Sequence, residues 1–165
     1  SPGNGEGRSY LAANLAVAFS QLGKKTLLID ADLRKPRQHQ LFGLDEKRGL
    51  SDLRAERADV SVISQMPVLR DLSVLSAGTI PPNPSELISR RMAAVLEQMA
   101  SDYDVILLDT PAGLVNSEAQ LLAAKAGGAL LLAHLHHTRL ADMEAIKNLF
   151  ESTGIACVGT VINEF

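Results

Sequence analysis

Two short, almost wholly apolar runs, each ended by an aspartate, constrain the fold of this chain most strongly. The first covers Thr26–Ile29 and stops at Asp30, and the second covers Val105–Leu108 and stops at Asp109. A strand without polar alternation is buried on both faces, as in a parallel sheet that helices cover. Because ligands of such sheets bind at the carboxyl ends of the strands, both aspartates are predicted to lie at a functional edge.

Helix and strand patterns alternate along the rest of the chain. Apolar residues at helical spacing from Leu11 to Leu22, followed by Gly23, predict a helix with a glycine after its end. The charged segment 34–67 is interpreted as an excursion with one or two short helices. We expect a doubly wound α/β fold with a mostly parallel sheet and helices on both faces, as one domain over residues 1–165. The other predicted strands are 72–75, 129–133 and 157–161, and the other predicted helices cover 88–99, 118–126 and 140–150.

Composition excludes several classes of protein. The net charge is −3, from 16 basic and 19 acidic residues, so charge gives no reason to expect nucleic-acid binding. Aromatic residues make up only 4% and tryptophan is absent, which argues against a base-stacking surface. The single cysteine, Cys157, excludes an internal disulfide and a cysteine-based metal site, and a reducing cytoplasm is the expected location.

A glycine-rich loop, Gly3-Asn4-Gly5-Glu6-Gly7-Arg8-Ser9, opens the first predicted helix. Glycines let consecutive backbone N–H groups turn toward one anion, and the helix N-terminus adds its positive dipole end. A basic residue followed by a hydroxyl fits a phosphate with Mg²⁺, although Pro2 and Arg8 depart from the strict P-loop pattern. Such a loop normally follows a strand, so we expect the sequence to be a fragment that lacks its first strand. A flexible glycine turn is the competing interpretation.

The two aspartate motifs complement the loop. Asp30 and Asp32 follow one buried strand, where one carboxylate could hold a metal ion while the other accepts a proton. Asp109 ends an apolar strand in the Walker B arrangement, in which the carboxylate orders a magnesium water. Helix capping or solvation in a loop is the alternative for aspartates at such positions. Three polar motifs are therefore predicted to meet at one edge of the sheet.

With these motifs the sequence resembles the kinase domain of bacterial tyrosine kinases of exopolysaccharide synthesis, within the MinD/ParA-like P-loop ATPases. The resemblance covers essentially the whole chain and rests on the loop residues Gly5–Ser9 and on Leu28–Pro36. It continues in Gly49–Ser51, Pro81–Leu87 and Tyr103–Pro111. It implies an ATP-dependent protein tyrosine autokinase that uses Mg²⁺ and phosphorylates a neighbouring copy of itself. It also implies a membrane chain-length determinant protein as partner, and a cytoplasmic domain recruited to the inner face of the plasma membrane.

The resemblance also implies roles for individual residues. Arg8 takes the place of the phosphate-binding lysine, and Asp32 is the base that accepts the tyrosine hydroxyl proton. Ser9, Asp30 and Asp109 support Mg²⁺, with Asp109 also counted as catalytic. Asn163 lies near the adenine, where a plain surface asparagine is the alternative. The nucleotide-binding set is Gly3, Asn4, Gly5, Glu6, Gly7, Arg8, Ser9 and Asn163.

Two departures from the family leave alternatives open. Arginine is planar and forked, so Arg8 is not a neutral replacement for lysine at a compact phosphate site. The only tyrosines are Tyr10 and Tyr103, and neither is predicted to be a free acceptor. A ParA/MinD-type ATPase switch is one alternative, although Gly3 stands where those proteins carry a signature lysine. The other is a nucleotide-binding regulator without transfer activity.

Three histidines form the remaining cluster of metal-ligating side chains in the sequence. His134, His136 and His137 follow a predicted strand, and no further ligand has suitable spacing. Solvated loop histidines are therefore favoured over a zinc site.

Overall fold

The structure is a computed structural model that describes residues 1–53 and 60–164. Its regular elements alternate between helices and strands, as the sequence predicts. The described part of segment 34–67 contributes one short helix, two 3₁₀ turns, Leu50–Asp52 and Val60–Val62, and a two-residue strand, Ser64–Gln65, while its residues 54–59 lie outside the described ranges. The helices are α1 (Arg8–Gln21), α2 (Gln38–Phe42), α3 (Pro84–Met99), α4 (Ser117–Ala126) and α5 (Leu140–Ser152). The strands are β1 (Thr26–Asp30), β2 (Ser64–Gln65), β3 (Leu72–Leu75), β4 (Val105–Asp109), β5 (Ala129–His134) and β6 (Cys157–Asn163).

The chain divides into two compact units. One comprises Ser9–Asp109, and the other combines Ser1–Arg8 with Thr110–Phe165, of which residues 110–164 are described. The first unit holds a four-stranded sheet of order β2-β3-β1-β4, in which only the β2–β3 pair is antiparallel. Leu28, Leu72 and Val74 pack there against Ala13 and Ala16 of α1. The mostly parallel α/β fold is thus confirmed.

The second unit is built around the parallel pair β5–β6. Leu131 packs with Ile146 and Phe150 of α5 and with Ile155, so the apolar stripe of that helix covers the strand. Helix α4 ends at Gly127, whose φ of 80° is the left-handed conformation that a glycine adopts most easily. Among the described ranges, no helix has both the length and the apolar character to cross a bilayer.

Burial of the two aspartate-ended strands differs from the sequence-based expectation. Every residue of β1 is buried, because β1 lies between β3 and β4. Residues Val105–Leu108 of β4 are only partly buried, although the run is equally apolar. Within the described sheet β4 is the edge strand, and an edge position leaves one side of the strand uncovered.

Candidate functional site

The glycine loop has the backbone conformation that its sequence predicts. Gly5 and Gly7 have φ values of 77° and 92°, a region that side-chain-bearing residues rarely adopt. A Cβ atom on Gly7 would lie 2.4 Å from Asn163 Nδ2, so a larger residue would displace the Asn163 side chain as well as strain the backbone. Asn163 Nδ2 also donates a hydrogen bond to the carbonyl oxygen of Glu6 at 3.2 Å. Asn163 is therefore placed against the loop, where its amide fixes the turn between Glu6 and Gly7.

Glu6 joins the loop to the turn after β5. Its side chain is buried, with one carboxylate oxygen accepting the Gly3 N–H at 3.0 Å and the other accepting the Thr138 hydroxyl at 2.5 Å. Thr138 Oγ1 in turn accepts the His134 N–H at 2.8 Å. Burial acts to raise the pKa of Glu6, but hydrogen bonds from Ser1, Thr138 and Gly3 outweigh it and the pKa is lowered. Glu6 therefore holds the loop as a carboxylate.

Arg8 folds back over the loop from the start of α1. Its Nε donates to the Thr110 carbonyl at 3.0 Å, and its Nη1 donates to Ser1 Oγ at 2.5 Å and to the Gly3 carbonyl. The guanidinium thus links the start of the loop to Thr110. A lysine ammonium has three donors on one nitrogen and no planar fork, so it could not reproduce this pattern.

Ser9, Asp30 and Asp109 come together in the other unit. Asp30 and Asp109 face each other in the parallel register of β1 and β4, and the Ala31 N–H donates to the Asp109 carbonyl at 2.8 Å. Gln38 Nε2 donates to Asp109 Oδ2 at 2.8 Å and to the Ser9 carbonyl at 3.0 Å. Gln38 is fully buried, and it thus links the hydroxyl residue to one of the two aspartates.

The surroundings of Asp30 disfavour the ionised form of its carboxyl group. Burial raises the pKa of Asp30 to about 7, and the nearby Asp109 adds to the rise, although the Arg37 and Gln38 N–H groups oppose it. These two groups donate to Asp30 Oδ2 at 2.9 Å each. Asp30 Oδ1 is buried and has no hydrogen-bond partner among the described residues. A cation beside Asp30 would give Oδ1 a partner and would offset the repulsion between the Asp30 and Asp109 carboxylates.

This donor set fits Mg²⁺. The ion binds through one or two carboxylates together with waters and substrate phosphates, and Asp30, Asp109 and the Ser9 hydroxyl supply oxygen donors only. Among residues 1–53 and 60–164, no group of three or more His, Cys, Asp and Glu side chains could hold a metal ion. A magnesium site formed by two carboxylates and completed by phosphate oxygens does not need a third such side chain.

Asp32 is held differently from Asp30. Its Oδ1 accepts the N–H groups of Arg34 and Lys35 at 3.2 and 3.0 Å, and the residue is only 7% exposed. The loop after β1 therefore fixes one oxygen of the Asp32 carboxylate. Asp30, the last residue of β1, and Asp32, which lies beyond its end, therefore have distinct environments.

Close packing around Gly49 explains why a glycine begins Gly49–Ser51, one of the motifs that carry the family resemblance. A Cβ atom there would lie 2.1 Å from the Ser76 carbonyl oxygen, and the Gly49 N–H donates to Asp52 Oδ2 at 2.8 Å. The backbone of Leu50 then donates to Ser76 at 2.7 Å. The motif thus docks the excursion against the segment that follows β3.

Sequence reasoning missed Gln38 and Thr138, which connect the predicted residues to one another. Neither follows a strand directly, neither carries a charge, and neither belongs to a glycine-rich pattern. Tyr10 also differs from expectation, because it is 62% exposed on α1 and not shielded by the fold.

A glycine loop that opens a helix, together with a Walker B aspartate on a parallel sheet, defines a P-loop NTPase. Residues 1–164 match the family model described as ParA, NUBPL iron-transfer P-loop NTPase. The tyrosine-protein kinase YwqD of Bacillus subtilis is 38% identical over 160 residues, covering 96% of this chain and 68% of YwqD. The chain belongs to the ParA-like P-loop NTPases, and within them to the family of bacterial tyrosine-protein kinases.

Two further comparisons agree with this family assignment. The tyrosine-protein kinase Wzc of Salmonella typhimurium is 34% identical over 95% of this chain, but the chain spans only 22% of the length of Wzc. The crystal structure of the chimerical protein CapA2B2 superposes with a TM-score of 0.92 at 37% identity, covering 99% of this chain and 73% of that one. The sequence-based resemblance is thereby confirmed at the level of family and fold.

Proposed function

We propose that this chain is the catalytic domain of a protein tyrosine kinase that transfers the γ-phosphate of ATP to tyrosine hydroxyls, including those of a neighbouring copy. The observation that carries the proposal is the cluster of Ser9, Asp30 and Asp109 in a chain of this family. Asp30 holds a buried oxygen without a described partner, which an oxygen-binding cation would satisfy. When bound, Mg²⁺ would neutralise charge on the transferring phosphoryl group.

Each residue then has a defined task. The backbone of Gly3, Asn4, Gly5, Glu6 and Gly7 binds the phosphates, with Arg8 providing positive charge. Asp32 accepts the proton of the tyrosine hydroxyl as the Oη–phosphorus bond forms. The bond from the γ-phosphorus to the β–γ bridging oxygen breaks at the same time, and ADP leaves. Asn163 fixes the loop beside the nucleotide.

The whole protein is proposed to act in exopolysaccharide synthesis. Its partners would be copies of itself and a membrane chain-length determinant protein, and this domain would lie in the cytoplasm near the plasma membrane. No role in nucleic-acid binding is proposed. The ParA-type switch is the weaker candidate, because the Gly3 position has no side chain to act as its signature lysine.

A regulator without transfer activity is the second candidate, and the hydrogen bonds of Arg8 favour it. The guanidinium Nε and Nη1 donate to Thr110, Ser1 and Gly3, so these two nitrogens could bind a phosphate only after leaving those acceptors. If wild type transfers no phosphate but Arg8→Lys does, the loop has lost catalysis and the regulator is the better description.

The test compares two variants in transfer to a tyrosine-containing peptide with Mg-ATP. Asp32→Asn should abolish transfer and leave nucleotide affinity within about twofold, because an amide keeps the shape but accepts no proton. Asp30→Asn should instead weaken magnesium-dependent nucleotide binding, because it removes a charge from the metal site. Transfer by Asp32→Asn at the wild-type rate would refute the assignment of the base.

A further inference from the structure

A cavity of about 480 Å³ is lined in part by the glycine loop, within the unit that combines Ser1–Arg8 with residues 110–164. The loop segment Pro2–Glu6 contributes part of its lining, and Leu114 and Val115 contribute an apolar part. A volume of this size accommodates a small ligand or one large side chain with its flanking backbone. In the described part of the chain, Asn163 is not among the lining residues, so the cavity is distinct from the region proposed for adenine.

Two histidines form another part of the lining. The rings of His134 and His137 are stacked, with centroids 4.4 Å apart and an angle of 21° between their planes. The turn that carries them is tied to the loop, because Thr138 bonds both the His134 N–H and the Glu6 carboxylate. The stacked imidazoles therefore have a fixed position relative to the loop.

We infer that this cavity binds the phenol ring of the acceptor tyrosine, an assignment that rests on the proposed kinase function. Flat imidazoles offer a stacking surface for an aromatic ring, and the apolar side chains of Leu114 and Val115 cover its non-polar edge. The segment Pro2–Glu6 that lines the cavity belongs to the loop proposed to bind the phosphates. His134 and His137 thus select an aromatic acceptor through contact with its ring.

Charge within the cavity supports a neutral phenol over an anion. Asp142 and Glu6 both contribute to the lining, and the Glu6 carboxylate is held by the Gly3 N–H and the Thr138 hydroxyl. The Asp142 carboxylate disfavours a negatively charged ligand beside it.

Binding is tested with N-acetyl-L-tyrosinamide as the probe and Mg-ADP present. Titration of the wild-type chain should shift the NMR signals of the imidazole C–H groups of His134 and His137. The matched control is His136→Asn, because His136 lies in the same turn with a φ of 64°, which asparagine tolerates, and does not line the cavity. The shifts should persist in that control. In the double variant His134→Ala/His137→Ala, which has no such imidazole signals, the shifts that the probe causes in the methyl signals of Leu114 and Val115 should disappear.

Kinetics with a tyrosine-containing peptide separate the inference from the proposed function. The double variant should raise the KM for peptide by about fivefold, a stacking-sized effect, and leave kcat and the KM for ATP within about twofold. An unchanged peptide KM with active wild type overturns the cavity assignment and leaves the kinase function standing. A rise in the KM for ATP alone overturns it in favour of a nucleobase platform.

Failure of the wild-type chain to transfer phosphate is also informative. If the tyrosinamide still shifts the two histidine signals, the cavity binds a phenol and the kinase proposal fails alone. If neither transfer nor shifts are observed, both are refuted. Circular dichroism of the double variant establishes that a loss of signal does not come from unfolding.

Discussion

Asp30→Asn should make the ligand-free domain more stable at pH 8 while weakening its magnesium-dependent nucleotide binding. Burial and the neighbouring Asp109 raise the pKa of Asp30 from 3.8 to about 7. The folded state therefore retains a proton that the unfolded state has lost between these two values. Stability that is present below about pH 4 is lost as pH rises toward 7, because ionisation then stabilises the unfolded state while the folded carboxyl group stays protonated.

The magnitude follows from the size of the shift. About three pKa units at 1.36 kcal/mol each give an upper bound of about 4 kcal/mol at pH 8. Local relaxation reduces this, so we expect Asp30→Asn to add about 2 kcal/mol to the free energy of unfolding at pH 8. The asparagine carbonyl can still accept the N–H groups of Arg37 and Gln38, so little is lost in exchange. At pH 4 the difference should be close to zero.

Urea denaturation at pH 4 and pH 8 measures this difference directly. The matched control is Asp45→Asn, an exposed aspartate that also accepts a backbone N–H, from Lys47 at 2.9 Å. The control should show no pH-dependent gain. Equal gains for Asp30→Asn at both pH values, or a loss at pH 8, would refute the electrostatic reasoning.

The remaining predictions concern contacts that hold the loop and the site. Gln38→Ala should weaken nucleotide affinity in the presence of magnesium by about tenfold, since it removes a buried link worth about 1–2 kcal/mol; calorimetry with Mg-ADP checks this. Gly49→Ala should cost at least about 2 kcal/mol in urea denaturation because its Cβ meets backbone, whereas Gly43→Ala, at a φ of 64° with open space, should cost only about 1 kcal/mol. Equal costs would contradict the clash. Arg8→Lys should lower the free energy of unfolding by about 1 kcal/mol and increase peptide phosphorylation, and a slower rate would show that the fork of Arg8 assists transfer.

The elements were predictable where one physical rule dominates. Uninterrupted apolar runs identified β1 and β4, and Gly23, with a φ of 73°, closes α1 where the helical spacing ends. The partial burial of β4 was not predictable from its own residues, because it depends on which strands lie beside it. An edge strand and a central strand can have the same composition.

The site was predictable in its chemistry and less so in its connections. Asp30 and Asp109 stand out because a carboxylate that ends a buried strand needs a reason to be there. Gln38 gave no such signal, since a glutamine in a charged segment is ordinarily solvated. Its role depends on a contact with Asp109, 71 residues away in the sequence. Single-sequence patterns carry little information about such long-range pairs.

Because Asp30 and Asp109 occupy paired positions, the site forms only when β1 and β4 are aligned in this register. The two residues are partners in the register of β1 against β4. A slip of one residue would turn Asp109 to the other face of the sheet, with the rest of its strand, and leave Asp30 alone. Insertions within either strand are therefore tolerated only if the other strand changes with it. In a library of random insertions and deletions, functional variants with a changed length of β1 should thus carry a matching change in β4.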